Sequence, residues 1–432
     1  MKKSDAMKVA VIGTGISGNV AAYHLSKEHE VTVFEANDYV GGHTHTHDIE
    51  YGDNTYRIDT GFIVFNYKTY PRFTELLNEL GVEVQPSNMS FSVKCERTGL
   101  EYNGTTLNSL FAQRSNLLKP SFYRMITDIL RFNREAPRDL ISDRAEITLG
   151  SYLTEKGYSR QFVEHYLVPM GAAIWSTDPD RMFSFPARFL VRFMANHGML
   201  SVDDRPQWYV IKNGSNSYVD RLIAPFADRI RLNTPIESIT RHADHVSVTP
   251  VGGAPERFDA IFIAAHSDQA LKMLSDASDA ERQVLGSVPY QPNEAVLHTD
   301  HTILPKRKLA WAAWNYHILP ENLGKTALTY SMNILQGLDA PVEFCVTLNN
   351  DKAIDPAKII KRIQYDHPLF TPEGADSQAR QSEINGVNRT FFCGAYWGYG
   401  FHEDGVVSAL NALSDFGMRG LRRADLSGAE DA

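Results

Sequence analysis

Three glycines near the start of this chain limit its possible folds more than any other feature. Residues 8–35 read KVAVIGTGISGNVAAYHLSKEHEVTVFE. A short apolar run, Val9 to Ile12, breaks into Gly13-x-Gly15-x-x-Gly18. An amphipathic stretch with Val20, Ala21, Tyr23, His24 and Leu25 follows, then a second apolar run, Val31 to Phe34, and the acid Glu35. The order is strand, glycine turn, helix, strand, acid, which is what a dinucleotide site requires. Gly13 permits the tight turn, Gly15 lets the backbone approach a pyrophosphate, and Gly18 lets helix and strand pack closely. Ile16 and Ser17 open the helix, whose free N–H groups and positive dipole end face the phosphates. Glu35 accepts ribose hydroxyls and disfavours a 2′-phosphate, which argues against NADP.

The chain has 432 residues, enough for two or three domains, with 43% hydrophobic and 22% charged residues. A net charge of -9 argues against nucleic-acid binding. Cys95, Cys345 and Cys393 are scattered and form no CxxC, so neither a disulfide framework nor a zinc site is expected. The apolar run after Met7 is interrupted by Gly13, which marks a first strand and not a signal-peptide core. No window reaches the length of a membrane span. A cytoplasmic location is expected, with contact at the inner membrane surface as a further expectation.

After Glu35 come Ala36 to Val40 and then a glycine pair, Gly41-Gly42. This pattern resembles the flavin-binding domain of the flavin amine oxidase superfamily, in which such a pair lies against the cofactor's phosphates. Relatives often carry Arg or Lys next; here His43 opens the run His43-Thr44-His45-Thr46-His47. On a strand that alternation puts three histidines on one face, a pattern that raises a metal reading. With no carboxylate or cysteine partner fixed nearby, no metal is expected, and His43 is read as the residue beside the flavin. Asp59-Thr60-Gly61-Phe62 resembles the family's D-x-G segment, which returns the chain under the flavin. An ordinary Asp-containing turn is the other reading of those residues. Tyr70 to Gly81 has helical apolar spacing and a glycine stop.

The middle of the chain reads as an inserted substrate region. Met89 to Val93 and Leu100 to Tyr102 read as strands. Residues 114–138 read as a basic amphipathic helix with the stripe Phe122, Met125, Ile126, Ile129, Leu130, Phe132, a candidate for contact with an anionic membrane. Helices are expected over 151–170 and 186–197, with the small residues Gly171 to Ala173 and Trp175 between them. Trp208 to Leu222 resembles the family's glycine turn into a flavin-domain helix, and Ile236 is carried over as an adenine neighbour. Phe258 to Ala265 is an apolar strand that brings Ala265 toward the cofactor. Residues 291–350 alternate as an antiparallel sheet forming the floor of the substrate site, with Asn315, Tyr316, Tyr330 and Asn333 either bonding within the sheet or touching substrate.

The segment Arg389 to Leu413, RTFFCGAYWGYGFHEDGVVSALNAL, is the second strong signal. The resemblance implies that Gly394 touches the pyrophosphate. It also implies that the helix opening at Glu403-Asp404-Gly405-Val406 faces the flavin ring, stabilising negative charge there. Ala395 stands where relatives carry an acid. Residues 292–297 lack the lysine that amine oxidases commonly place near the flavin, and Cys393 is too close to Gly394 for a covalent link, so non-covalent FAD is expected. No second GxGxxG occurs, so oxygen or another acceptor is expected to reoxidise the flavin.

The resemblance implies an α/β protein: a discontinuous FAD-binding Rossmann-like (GR2-type) domain, 7–85, 205–290 and 386–425, interleaved with an α+β substrate domain, 86–204 and 291–385. The motifs WNY, TYSMN and GFHEDG are most similar to a bacterial branch that often accompanies cyclopropane-fatty-acid-synthase-like methyltransferases. This implies an oxidoreductase taking hydride from a lipid-like substrate, with a functional link to such a methyltransferase. An amine oxidase and a non-catalytic flavin-binding partner are the alternatives. His43, Tyr396, His402 and Glu403 are the candidate catalytic residues, with His402 or Glu403 as proton acceptor.

Overall fold

A computed structural model of the chain describes residues 6–141, 147–201 and 205–418. One sheet has five parallel strands in the order Ile230–Arg231, Glu30–Phe34, Lys8–Ile12, Ala260–Ile263, Thr390–Phe392. Both of its faces are buried, which is why its strands are continuous apolar runs. Val9, Val11, Val31, Val33 and Phe262 pack with Val20, Ala21 and Leu25 of the helix Ile16–Leu25. Ala10, Ile12, Ile261 and Ile263 pack on the other side against Ile239, Val246 and Val248. The latter belong to an antiparallel sheet of Ile236–Arg241, Val246–Pro250 and Glu256–Phe258. The last helix, His402–Met418, lies along Ile16–Leu25, and the Ser17 hydroxyl donates to the Gly405 carbonyl across that contact (2.9 Å). The expected domain end at 425 lies outside the described residues.

The second large sheet has seven strands, ordered Ile359–Pro368, Tyr290–His298, Cys345–Leu348, Leu328–Ser331, Trp314–Ile318, Phe91–Cys95, Leu100–Asn103. The alternation over residues 291–350 predicts an antiparallel floor. It is so at every pairing but one: Trp314–Ile318 runs parallel to Phe91–Cys95, and the chain between them crosses both the helical region and the five-stranded sheet, long enough to bring the two strands in side by side in the same direction. The ribbon strand Ile359–Pro368, which the sequence reading did not anticipate, pairs along Tyr290–His298 from end to end.

The helical excursion differs from its expected form in two places. Residues 114–138 are a short 3₁₀ turn, Arg114–Leu118, followed by the helix Pro120–Ile141. That helix buries Phe122, Met125, Phe132, Ala136 and Leu140 in the largest core, while Leu130 stays exposed. Arg124 and Arg131 pair with Asp128, and Arg131 and Arg134 with Glu135. The single helix expected over 151–170 is broken into Leu149–Glu155, Arg160–Phe162, a π turn Val163–Leu167 and Val168–Trp175. Gly157, at φ +63°, turns the chain after the first piece. Gly171 to Trp175 therefore sits inside a helix and not between two. The expected second helix is Ala187–Asn196. Among the described residues no helix is long and apolar enough to cross a membrane.

Candidate active site

The glycine turn builds an anion cradle. Gly13 has φ +95°, a region side chains avoid, and a Cβ there would lie 2.8 Å from the Ala264 carbonyl. A Cβ at Gly15 would meet nothing within 4 Å, so the loop presents an open face. The helix it starts has no side-chain cap and no acid in its first turn, so its N–H groups remain free for an anion. Gly42 (φ +59°) closes the other side, its virtual Cβ 3.1 Å from the Gly15 Cα, and the Gly41 N–H donates to the Thr14 carbonyl (3.1 Å). Glu35 is buried beside this loop. The N–H and hydroxyl of Thr14 donate to one carboxylate oxygen (2.9 and 2.5 Å), the N–H and amide of Asn37 to the other (both 2.9 Å).

A cavity of about 670 Å³ runs from this cradle toward the seven-stranded sheet. Of the sequence-derived cofactor residues, Gly13, Gly15, Ile16, Ser17, Glu35, Ala36, Gly41, Gly42, His43, Gly61, Phe62, Ile236, Ala265 and Gly394 line it. Gly18, Thr60, Asp404, Gly405 and Val406 stand behind the wall. The Thr60 hydroxyl lies within hydrogen-bond distance of His47 Nε2 (3.1 Å) and the Tyr365 hydroxyl (2.9 Å), and Asp404 accepts from the Phe401 N–H (2.9 Å). Burial raises the Asp404 carboxyl to about 6. In the D-x-G segment Asp59 is fully buried and turned from the cavity. It accepts from Thr46 Oγ1 (2.6 Å) and from the N–H and hydroxyl of Ser215 (2.9 and 2.8 Å), which ties this segment to the turn before the helix Asn216–Ile223.

The four candidate chemical residues separate. His43 lines the cavity, stacked on Tyr365 (ring centroids 4.9 Å) and 5.4 Å from His367. Burial first, and then the neighbouring His367, His266 and His402, hold it well below the ordinary imidazole pKa, so it is neutral. Tyr396 also lines the cavity, and its ring fills the space where a Gly394 Cβ would sit. Burial pushes its hydroxyl well above the usual phenol value. His402 stacks on Phe62 at 3.5 Å and places Nε2 between Thr44 Oγ1 (2.9 Å) and the Tyr218 hydroxyl (3.0 Å). Burial lowers it to about 3, so it is a weak proton acceptor near neutral pH. Glu403 stands outside the cavity lining. Its carboxylate accepts from the Arg72 and Phe73 N–H groups (3.0 and 2.9 Å) and caps the helix Pro71–Glu79, which has no cap of its own. Capping accounts for Glu403; the proton-acceptor role expected of it has no geometric support here.

The alternating histidines do not share one strand face. The strand begins only at Thr46, because Gly41 and Gly42 turn the chain and the His43 carbonyl takes the Phe62 N–H (2.7 Å). His45 stacks on Tyr39 at 4.0 Å, and His47 bonds to Thr60. Among the described residues no group of three or more His, Cys, Asp or Glu side chains is arranged to hold a metal ion.

His266, His367, Phe193, Phe370 and Tyr399 are wall residues that the sequence does not single out. His266 stacks on Tyr290 (4.4 Å), and His367 Nδ1 accepts from the Asn293 side-chain NH₂ (2.9 Å); both lie beside His43. Trp175, Phe193, Trp314, Tyr330, Phe370 and Tyr399 line the far end, and the Trp175 indole N–H is fixed on the Tyr399 carbonyl (3.1 Å). Of the four sheet residues noted in the sequence, Tyr330 lines the cavity. Asn315 and Asn333 are consumed by bonds within the sheet and its loops.

Residues 16–341 match the family model of flavin containing amine oxidoreductases. The chain belongs to that family. The cradle and Glu35 fit the dinucleotide half of the family's flavin, FAD. The chain is 38% identical over 96 residues to a 1-hydroxycarotenoid 3,4-desaturase of Flavobacterium sp., covering 22% of this chain and 18% of the desaturase. It is 27% identical over 263 residues to the putative flavin-containing monoamine oxidase AofH of Mycobacterium tuberculosis, covering 57% of this chain and 54% of that protein. It thus spans about half or less of the curated relatives it matches. A CLA-producing fatty acid isomerase from P. acnes superposes with a TM-score of 0.68 at 15% identity, over 95% of this chain and 98% of that one. At that identity the likeness shows the fold alone.

Proposed function

We propose that this flavin-family protein takes a hydride from an apolar, lipid-like substrate held at the far end of the cavity. One observation carries the reading: the distribution of charge along the wall. Among the described lining residues the charged ones are Glu35, Glu237, Lys272 and Asp366, with Asp366 close enough to act on His266, whereas Trp175, Phe193, Trp314, Tyr330, Phe370 and Tyr399 give the wall six rings. A wall of rings and methionines (Met89 and Met199) favours hydrocarbon, and the neutral His43, His266 and His367 add no charge to it.

FAD bound in the cavity supplies a two-electron acceptor. The chain's own part is to hold and orient. The free N–H groups at Ile16 and Ser17 and the Gly15 backbone hold the pyrophosphate, Glu35 takes the ribose, and the start of the helix His402–Met418 sets a positive dipole end at the cavity wall. Binding is non-covalent in this reading: none of the three cysteines lines the cavity, and burial pushes the Cys393 thiol up to about 12. The desaturase likeness supports a hydrocarbon substrate. The AofH likeness, Asp366 and the edge-to-face pair Trp314–Tyr330 (5.2 Å) support a second reading, an amine held by rings and one carboxylate.

Anaerobic titration of the flavin-loaded protein separates the two. Phospholipids carrying fatty acyl chains are expected to bleach the flavin absorbance and amines to leave it unchanged. Bleaching by amines alone would overturn the lipid reading.

A further inference from the structure

We propose that the surface formed by residues 104–124 and 306–309 seats this protein on an anionic lipid bilayer. This goes beyond the reading of the cavity and does not depend on which substrate enters it.

The surface is apolar where a soluble face would be polar. Leu107 is 77% exposed, Leu118 88%, Leu117 47%, Tyr123 46% and Leu309 43%. Single exposed apolar residues are ordinary, but five gathered on one small unit mark an interaction surface. The unit is ordered. Thr106 caps the turn Leu107–Leu110 with reciprocal bonds to Ser109. The Arg114 guanidinium donates to the Asn108 side chain (2.6 Å) and the Phe111 carbonyl (2.9 Å). The Tyr123 hydroxyl donates to the Leu117 carbonyl (3.1 Å), and Leu107–Leu110 packs on the turn Lys308–Ala310. The leucines are therefore held outward by structure.

Charge identifies the occupant. No Asp or Glu occurs from Tyr102 to Thr127, in a chain whose net charge is -9, while Arg114, Lys119 and Arg124 fall in that stretch. Lys306, Arg307 and Lys308, all exposed, come up beside it. The facing acids are few: buried Glu101 pairs with Arg307 (2.9 Å), buried Asp128 with Arg124 (3.2 Å), and half-buried Glu343 lies in the field of Lys308 without pairing to it. Arg114, Lys119, Lys306 and Lys308 form no ion pair among the described residues. Protruding leucines ringed by an excess of cations over acids match a surface with anionic headgroups over hydrocarbon. The long helix Pro120–Ile141 is the less suitable element, since most of its stripe is buried and Arg124, Arg131 and Arg134 are paired.

Vesicle sedimentation of the full flavin-loaded chain tests this. Vesicles of phosphatidylcholine containing roughly one-third phosphatidylglycerol should capture the protein at least about tenfold better than phosphatidylcholine alone, and less as salt rises. Leu117→Ser/Leu118→Ser and, separately, Lys119→Glu/Lys308→Glu should each weaken capture by about tenfold or more, with the flavin spectrum unchanged. The second variant decides the matter if the first fails to fold, since Lys308 is exposed and Lys119 is half-buried and forms no ion pair among the described residues. Failure of the wild type to sediment with anionic vesicles would overturn the proposal, as would undiminished capture of the charge-reversed variant. So would a concentration-dependent dimer, lost in Leu117→Ser/Leu118→Ser, without vesicle binding.

Discussion

Replacing Glu35 by Gln tests the dinucleotide end most directly, because the structure states what the change removes. One carboxylate oxygen serves the Thr14 N–H and hydroxyl, the other the Asn37 N–H and side-chain amide. The amide of Gln keeps an oxygen at one end and turns an NH₂ toward two donors at the other. The Thr14 hydroxyl or the Asn37 amide can rotate and accept, but the backbone N–H at that end cannot. One buried main-chain donor is left unpaired, which costs about 1–3 kcal/mol of folding stability. The ribose hydroxyls lose a charged acceptor as well; trading a charged for a neutral bond is worth about 1 kcal/mol each, so two bonds give roughly 30-fold weaker binding. Urea unfolding of the apoprotein reads the first quantity, and flavin fluorescence quenching on titration with FAD reads the second. A Glu35→Gln variant with the wild type's urea midpoint and FAD affinity would refute this account of Glu35.

Three further outcomes are expected. Gly42→Ala forces a side chain into left-handed backbone, about 1–2 kcal/mol, and sets its Cβ 3.1 Å from the Gly15 Cα, so equilibrium dialysis should show FAD held about tenfold more weakly. Thr347→Val breaks the buried chain His298–Thr347–Thr329–His317, whose links are 2.7, 2.8 and 2.8 Å; urea unfolding should show a loss of about 1–3 kcal/mol that Thr347→Ser largely restores. Burial holds His298, His317 and His402 at about 4, 3 and 3, against 6.5 for an ordinary histidine. Below pH 6.5 the unfolded chain binds protons that the folded chain refuses, so stability falls as pH drops from 6.5 toward 4, on the order of 1.4 kcal/mol per unit for each histidine. Urea midpoints that stay level between about pH 7 and pH 5 would contradict that linkage.

What could be read from the sequence was what short-range chemistry decides. The run from Lys8 to Glu35 holds its strand, turn, helix, strand and acid contiguously, and the structure places them in that order. Glu403 shows the opposite case. Nothing near it in sequence announces that its carboxylate caps a helix starting at Pro71, since only tertiary packing joins them. The strand Ile359–Pro368 was hidden because Lys361, Arg362 and Gln364 turn to solvent, and Arg362 is held there by Glu294 and Asp351. With that strand unread, His367 and Phe370 could not be assigned to the cavity. The break after Glu155 was written in Gly157, yet the apolar spacing on either side concealed it.

The bond from Ser17 to Gly405 spans 388 residues, and it sets a clock on how the molecule is made. At roughly 5–20 residues per second, about 20–80 s separate the emergence of the phosphate loop from that of the helix which buttresses it. The chain must shelter Ile16 and its neighbours by other means for that whole interval. A nascent chain that has grown no further than Gly394 also lacks Ser408, whose hydroxyl fixes the Gly394 N–H (2.9 Å). The phosphate loop and Gly394 therefore reach their buttressed form only once the chain has been made as far as Ser408.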